Sequence, residues 1–201
     1  MSTGYIRALV ESIESQCRPV DKFGHQPRLE ALALTIGEGL EYDRDVVVAA
    51  AWLHDLGVFV GHRPENPDQL AQWDHVAYAC SRAPEILRQA GFPQDRIGAV
   101  LDAIRQHQAK DEPTTVEATI LRDADILEQL GAVGILRVVS KVGRDTRFPR
   151  FTDAVAQLRR NLADLPGKIR LAAARRLAEG RIATLRAFLQ AVEEEAGACL
   201  C

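Results

Sequence analysis

Several features that would define a class of protein are missing from this sequence of 201 residues. No apolar run reaches the roughly 18 residues that a membrane-spanning helix needs, and no secretion signal begins the chain. The cysteines Cys17, Cys80, Cys199 and Cys201 form no CxxC pair and no spacing typical of a disulfide framework or a zinc site. We interpret the last two as part of a frayed tail. These absences favour a cytoplasmic protein without a membrane or disulfide scaffold.

A strong charge of one sign is missing as well. The chain has 25 basic and 28 acidic residues, a formal net charge of −3. Surfaces that bind nucleic acid usually carry a marked basic excess, so we expect no nucleic-acid partner. Local basic clusters could still bind a small anion. The hydrophobic fraction of 47% and the charged fraction of 26% are typical of a soluble globular protein.

Helical periodicity runs through most of the chain, without an alternating strand pattern or an internal repeat. We therefore expect an all-α single domain. The predicted helices cover residues 5–17, 25–36, 43–55, 74–90, 95–107, 113–127, 135–142 and 153–195, the last with a break near 165–167.

Several residues are predicted to delimit these helices. Asp74 and Asp95 are expected N-caps, and Pro113 suits an early helical position. Gly57 is well placed to end the helix over residues 43–55. Between the helices, residues 58–73 form a loop long enough to be functional, and residues 143–151 form a second polar loop.

The predicted helix over residues 43–55 ends in His54 and Asp55, side by side after an apolar run. Adjacent residues on a helix diverge by about 100°, so such a pair shares a metal ion most easily near a helix end. The other candidate ligands are histidines at predicted helix ends and one aspartate: His25, His75, His107 and Asp125. Imidazole and carboxylate without thiolate suit Mn, Fe, Co, Ni or Zn in an open catalytic site.

Each of these residues also has a simpler interpretation. A single histidine is more often a capping or surface residue than a ligand, and His62 in a polar loop is expected to be solvated. Asp123 and Glu128 could be surface charges on the outer face of their helix. The set as a whole favours a metal site, because an apolar-flanked His-Asp pair is joined by further histidines and by an Asp-Ala-Asp segment.

This ordered set resembles the HD superfamily of metal-dependent phosphohydrolases, most closely its bacterial HD-domain hydrolases. The resemblance covers roughly residues 20–140 and is looser in the C-terminal helices. It implies a single HD-domain helical bundle over residues 1–201, with a core at about 20–140 and additional C-terminal helices at about 152–196 packed on it. The motifs that carry it are His25-Gln26-Pro27-Arg28-Leu29, His54-Asp55, Ile104-Arg105-Gln106-His107, Asp123-Ala124-Asp125-Ile126-Leu127-Glu128 and Gly131-Ala132-Val133-Gly134-Ile135-Leu136-Arg137.

The resemblance also implies a ligand set. Its primary metal ligands are His25, His54, Asp55 and Asp125. Two further positions, His75 and His107, hold a second metal ion in some members, with the Asp of the pair as a bridge. We therefore expect one or two divalent ions per chain, with Mn, Fe, Co, Ni, Zn and Mg all open.

The implied reaction is hydrolysis of a phosphomonoester or phosphoanhydride of a nucleotide or similar small phosphate by attack of metal-bound water. Asp55 would be catalytic, and the candidate phosphate clamps are Arg28, Arg137 and Lys141. No Ser-His-Asp or Cys-His pattern and no phosphate-binding glycine loop competes with this chemistry.

Other functions stay open beside hydrolysis. Val58 stands where many family members carry a polar helper, which weakens a 5′-nucleotidase interpretation. All six residue types of an HD-type di-iron oxygenase for a small organic substrate are present. A non-catalytic nucleotide-binding module would not need the full ligand set. A homodimer is also left open.

Overall fold

The computed structural model describes residues 4–18, 24–145, 147–196 and 200. Every regular element in these residues is helical, which confirms the predicted all-α class. The α-helices are α1 (Gly4–Gln16), α2 (His25–Gly37), α3 (Arg44–Leu53), α4 (Pro67–Ala71), α5 (His75–Gln89), α6 (Ile97–Arg105), α7 (Val116–Glu128), α8 (Gly131–Val139), α9 (Phe151–Asp164) and α10 (Ala172–Ala196). Short 3-10 helices cover Leu56–Val58, Gln94–Arg96 and Pro166–Lys168.

The chain forms two compact units, an N-terminal unit of residues 1–122 and a C-terminal unit of residues 123–201. Within the N-terminal unit, α3 packs against α1, α2 and α6. All eight residues from Val46 to Leu53 are buried. A helix that is apolar on every side is stable only when it is surrounded by other helices. The helix that ends at the His-Asp pair is therefore the central helix of this unit. The prediction of a single domain stays a prediction.

Aspartates cap two of the predicted helices. Asp43 accepts hydrogen bonds from two backbone N–H groups in the first turn of α3, and Asp74 does the same for α5. The prediction that Asp95 is an N-cap is wrong. Asp95 lies inside the 3-10 helix Gln94–Arg96, which leads directly into α6, and Arg96 before α6 makes no side-chain cap. The helix predicted near Pro113 begins three residues later, at Val116.

Helices α8, α9 and α10 pack against one another in the C-terminal unit. The break between α9 and α10 lies at the 3-10 helix Pro166–Lys168, as predicted. Asp123 and Glu128 are fully buried, so the suggestion that they are surface charges is wrong. Asp123 accepts the backbone N–H groups of Arg170 and Leu171 at 3.0 and 2.7 Å. A buried carboxylate is tolerated when it is hydrogen-bonded in this way.

Two of the cysteines lie in the described part of the chain. Cys17 is buried and Cys80 is half-buried, and neither is bonded to another described cysteine. Burial raises the pKa of Cys17 to about 12, so its thiol stays protonated near neutral pH. Cys199 and Cys201 lie outside the described residues. None of the described helices is both long and apolar enough to cross a bilayer.

A pair of glycines in the C-terminal unit tests this packing. A Cβ atom on Gly134, inside α8, would lie 2.5 Å from the carbonyl carbon and oxygen of Gln129. Gly134→Ala should therefore lower the free energy of unfolding by about 1–3 kcal/mol. Gly180 is exposed within α10 and has open space around it, so Gly180→Ala should raise that free energy by about 0.5–1 kcal/mol. Urea unfolding measures both, and effects of the same sign would contradict the packing described.

Candidate metal centre

The end of α3 brings His54 and Asp55 to one point. His54 still has a helical backbone, with φ −56° and ψ −36°, and donates its N–H to the carbonyl of Ala50. Asp55 leaves the helix, with φ −98° and ψ 14°. This change of backbone direction offsets the divergence of adjacent residues on a regular helix. As a result, Nε2 of His54 lies 3.6 Å from Oδ2 of Asp55.

His25 joins this pair from the first position of α2. Its Nε2 atom lies 3.3 Å from Nε2 of His54 and 3.8 Å from Oδ2 of Asp55. Both imidazoles are buried, with His25 4% exposed and His54 fully enclosed. Helix α2 packs on α3, and this packing brings together residues that are 29 positions apart in the sequence.

His107 completes the cluster from the segment that follows α6. It is buried, and its ring centroid lies 4.9 Å from that of His54. One ligand atom from each of His54, Asp55 and His107 lies within 4.8 Å of the other two. Donors at this separation can share a single ion.

Backbone carbonyls set the orientation of two of the imidazole rings. Nδ1 of His54 lies 2.9 Å from the carbonyl oxygen of Ala51, and Nδ1 of His107 lies 2.6 Å from that of Ile104. A carbonyl only accepts, so Nδ1 donates in both rings, and in the neutral ring Nε2 keeps the lone pair. Metal-binding histidines have this second contact in most proteins. The donor set and its orientation therefore fit a divalent ion.

The Asp55 carboxyl is suited to ligation by its charge. Its burial by itself raises its pKa, but the positive charge that the surrounding histidines carry when protonated has the larger effect and holds that pKa well below its usual range. These histidines are His54, His25, His107 and His75. Asp55 is therefore ionised near neutral pH, the form that binds a cation.

His75 borders the cluster from the first position of α5. Its ring centroid lies 6.2 Å from that of His107, and its Nε2 atom lies 3.4 Å from Nε2 of Gln108. Gln108 was not among the residues predicted for the site. It lies in a polar turn and meets His75 across 33 positions of sequence, so no local pattern indicated it.

Gly57 has a different role from the predicted one. It does not end α3, which ends at Leu53, and its φ is not positive. Instead, a Cβ atom on Gly57 would lie 2.7 Å from the backbone oxygen of His75 and 2.8 Å from its Cα. Gly57 therefore allows the 3-10 helix Leu56–Val58 to approach the start of α5, and this approach positions His75 beside the cluster.

The remaining candidates in the N-terminal unit have other surroundings. His62 is half-buried rather than fully solvated, and its Nδ1 atom lies 3.0 Å from the hydroxyl of Tyr78. Burial lowers the pKa of His62, and nearby Arg82 lowers it further. Arg28 is exposed on α2, one turn after His25. Its role as a phosphate clamp stays a prediction.

Three candidates belong to the C-terminal unit. Asp125 is half-buried on α7, and its Oδ2 accepts a hydrogen bond of 3.1 Å from Gln129. Arg137 on α8 lies 3.7 Å from the carboxylate of Glu128. The ammonium of Lys141 lies 5.7 Å from the ring centroid of Phe148. Their roles at the metal centre stay predictions.

Comparison with known proteins identifies the class of this chain. The HD domain matches residues 23–130, more than half of the sequence, so the chain belongs to the HD domain family. The protein YpgQ of Bacillus subtilis, itself uncharacterized by name, is 27% identical over 198 residues, covering 94% of this chain and 91% of YpgQ. Its family, together with a group of side chains that could hold a metal ion, supports a metal-dependent hydrolase in general terms.

Solved structures share the fold. A crystal structure of B. subtilis YpgQ in complex with ADP has a TM-score of 0.75 at 24% identity, covering 96% of this chain and 95% of that chain. A predicted HD superfamily hydrolase from an uncultured Thermotogales bacterium has a TM-score of 0.63 at 26% identity, with 96% and 91% covered. An HD-superfamily hydrolase from Bacillus thuringiensis has a TM-score of 0.68 at 21% identity, with 94% and 95% covered.

Removing a central ligand should abolish metal retention. For His54→Ala and Asp55→Ala we expect affinity for Mn²⁺ to fall by more than about 100-fold, because losing a residue that only orients a ligand already costs about 10–100-fold. Competition with a chelator, followed by elemental analysis of the dialysed protein, measures this affinity. His62→Ala is the matched control, because it also removes a histidine, but one that is hydrogen-bonded to Tyr78 and is not one of the proposed ligands. Equal metal content in all three variants would contradict the assignment.

The close approach at Gly57 gives a separate prediction. Gly57→Ala should force the backbone at His75 away and destabilise the protein by about 1–3 kcal/mol, while disturbing the ring of His75. Gly98→Ala is the control, since Gly98 lies on α6 with open space around it. Thermal unfolding and the histidine NMR resonances report on both variants. A Gly57→Ala protein as stable as Gly98→Ala, with unchanged His75 resonances, would show that the approach is not tight.

Proposed function

We propose that this protein is a phosphohydrolase that cleaves a phosphomonoester or phosphoanhydride of a nucleotide or similar small phosphate. The observation that carries the proposal is the buried group of imidazoles at the carboxylate of Asp55, with Nε2 of His25 3.3 Å from Nε2 of His54. Imidazole nitrogens and a carboxylate that converge at this separation are a donor set typical of metal sites. A divalent ion is the partner that matches their chemistry.

The proposed ligands follow the family pattern. His25, His54, Asp55 and Asp125 would hold one ion. A second ion would be held by His75 and His107 together with Asp55. The position of His75 at the border of the cluster, 6.2 Å from His107 between ring centroids, supports a second, outer position.

Different residues of the chain would have different roles in such a reaction. When bound, a divalent ion supplies an acidified water and neutralises charge on phosphate oxygens. The carbonyls of Ala51 and Ile104 hold the rings of His54 and His107 in one orientation. The low pKa of Asp55 keeps its carboxylate charged through the working pH range. Arg28, Arg137 and Lys141 are the proposed phosphate-binding groups, because developing negative charge on phosphate is stabilised by cations.

A nucleotide is favoured as the substrate by a relative. B. subtilis YpgQ, which is 27% identical to this chain along almost its whole length, has been crystallised in complex with ADP. Nucleic acid is a poor candidate, because the net charge of −3 provides no general attraction for a polyanion.

The experiment is a substrate screen of the metal-loaded protein. Nucleoside mono-, di- and triphosphates and p-nitrophenyl phosphate would be supplied with Mn²⁺, Co²⁺ or Mg²⁺, and phosphate or pyrophosphate release measured. We expect hydrolysis that a chelator stops and that Asp55→Asn lowers by more than about 100-fold in kcat, since that change removes the charge but keeps the shape. His62→Gln should retain activity.

The competing chemistry is tested with the same protein. An HD-type oxygenase would retain iron, absorb in the visible range and consume O₂ with an organic substrate. Oxygen uptake by the iron-loaded protein, together with no hydrolysis of any phosphate compound, would overturn the proposal. Nucleotide binding without turnover by the loaded protein would instead indicate a binding module.

A further inference from the structure

Residues 58–73, which we name the specificity loop, form a loop whose two ends lie close together. The indole Nε1 of Trp73 donates a hydrogen bond of 2.8 Å to the carbonyl oxygen of Gly57, across 16 positions of sequence. The ring of Trp73 also packs against Tyr78 on α5, with 5.1 Å between ring centroids. Compact loops of about 6–16 residues whose ends meet are frequently functional. The specificity loop is thus a closed structure with a fixed base.

The base of the loop adjoins the candidate metal centre on both sides. Gly57 follows Asp55 by two positions, and Trp73 precedes His75 by two positions. The backbones of Gly57 and His75 are themselves in close contact. The base of the specificity loop is therefore next to the centre at which the reaction would occur.

Part of the loop lines a half-open cavity of about 220 Å³. This cavity is smaller than the about 300–1,000 Å³ of sites that enclose a whole drug-sized ligand, so it would hold one part of a larger molecule. Two large apolar side chains stay partly exposed at it, Val60 at 46% and Leu70 at 37%. The lining residues are Val60, Gly61, Arg63, Pro64, Glu65 and Leu70.

The length of the chain limits how far this cavity can lie from the centre. Val60 follows Asp55 by five positions, and Leu70 precedes His75 by five positions. A fully extended chain spans at most about 3.6 Å per residue, so each Cα pair is separated by at most about 18 Å. The 3-10 helix Leu56–Val58 shortens the first path, because that helix rises only about 2 Å per residue. These bounds keep the backbone of the cavity wall within about 18 Å of the backbone at the centre.

We propose that this cavity binds the nucleobase of the substrate whose phosphate is cleaved at the candidate metal centre, a step that rests on the proposed function. The side chains of Val60, Pro64 and Leu70 offer apolar surface to the faces of a planar ring. Arg63 offers hydrogen-bond donors and Glu65 offers acceptors to its edge. The carboxylate of Glu65 repels phosphate, which favours the base end of the substrate over its phosphate end.

Two variants of the apolar wall test the proposal by equilibrium binding. The probes are ADP and inorganic pyrophosphate, titrated calorimetrically into the Mn²⁺-loaded protein. Leu70→Asp should raise the Kd for ADP by about tenfold or more, since a base loses its apolar contact and meets an added charge. Val60→Thr, which keeps the shape, should give a smaller increase. The Kd for pyrophosphate, which has no base, should stay unchanged in both.

The control variant is Gln69→Asp. It adds the same charge to the same short helix, α4, at an exposed residue that does not line the cavity. Circular dichroism checks that each variant is folded. If Leu70→Asp is not folded, the binding measurements on Val60→Thr provide the test. A Kd for ADP unchanged by the cavity variants, or raised equally by Gln69→Asp, overturns the proposal. An equal weakening of pyrophosphate binding also overturns it.

Failure of the proposed function gives a different result. If the wild-type protein binds ADP through the cavity but hydrolyses no phosphate compound, the nucleobase site is supported and the proposed phosphohydrolase activity is contradicted. If the wild-type protein hydrolyses phosphoesters but binds ADP no more tightly than pyrophosphate, the proposed activity is supported and the nucleobase site is contradicted.

Discussion

The close approach of buried imidazoles to one carboxylate is the interaction on which the N-terminal unit depends. His25 and His54 place ring nitrogens 3.3 Å apart, and Asp55 lies within 3.8 Å of both. Imidazole and carboxylate donors at this separation are a set that could hold a metal ion. The apolar helix α3 provides rigid support for it, because α3 is packed on several sides and cannot shift without losing that packing.

Helix ends are the means by which the fold assembles this group. Four histidines lie at or just beyond a helix terminus: His25 begins α2, His54 follows α3, His75 begins α5 and His107 follows α6. At a terminus the backbone changes direction, so neighbouring side chains need not diverge by the angle that a regular helix imposes. The specificity loop uses the same device, because its base joins the segment after α3 to the start of α5.

Local sequence signals predicted the helices well and the packing poorly. The apolar run before His54 predicted a buried helix, and Asp43 and Asp74 cap the helices that follow them. Asp95 and Gly57 have the residue types of helix boundaries, but Asp95 lies inside a 3-10 helix and Gly57 allows a close approach to His75. The burial of Asp123 was missed, because its partners are backbone N–H groups 47 and 48 positions later in the chain. Propensity reports on neighbours in sequence, whereas these roles depend on neighbours in space.

The sequence by itself determined the all-α class, the family and the identity of the candidate ligands, because helical period, caps and an ordered motif are all local in the chain. Only the tertiary structure decided that His25 meets His54 across 29 positions, that His75 meets Gln108 across 33, and that Gly57 is needed for a close approach. The physical reason is that these contacts arise from helix packing. Packing depends on which faces meet, and no single segment of the sequence contains that information.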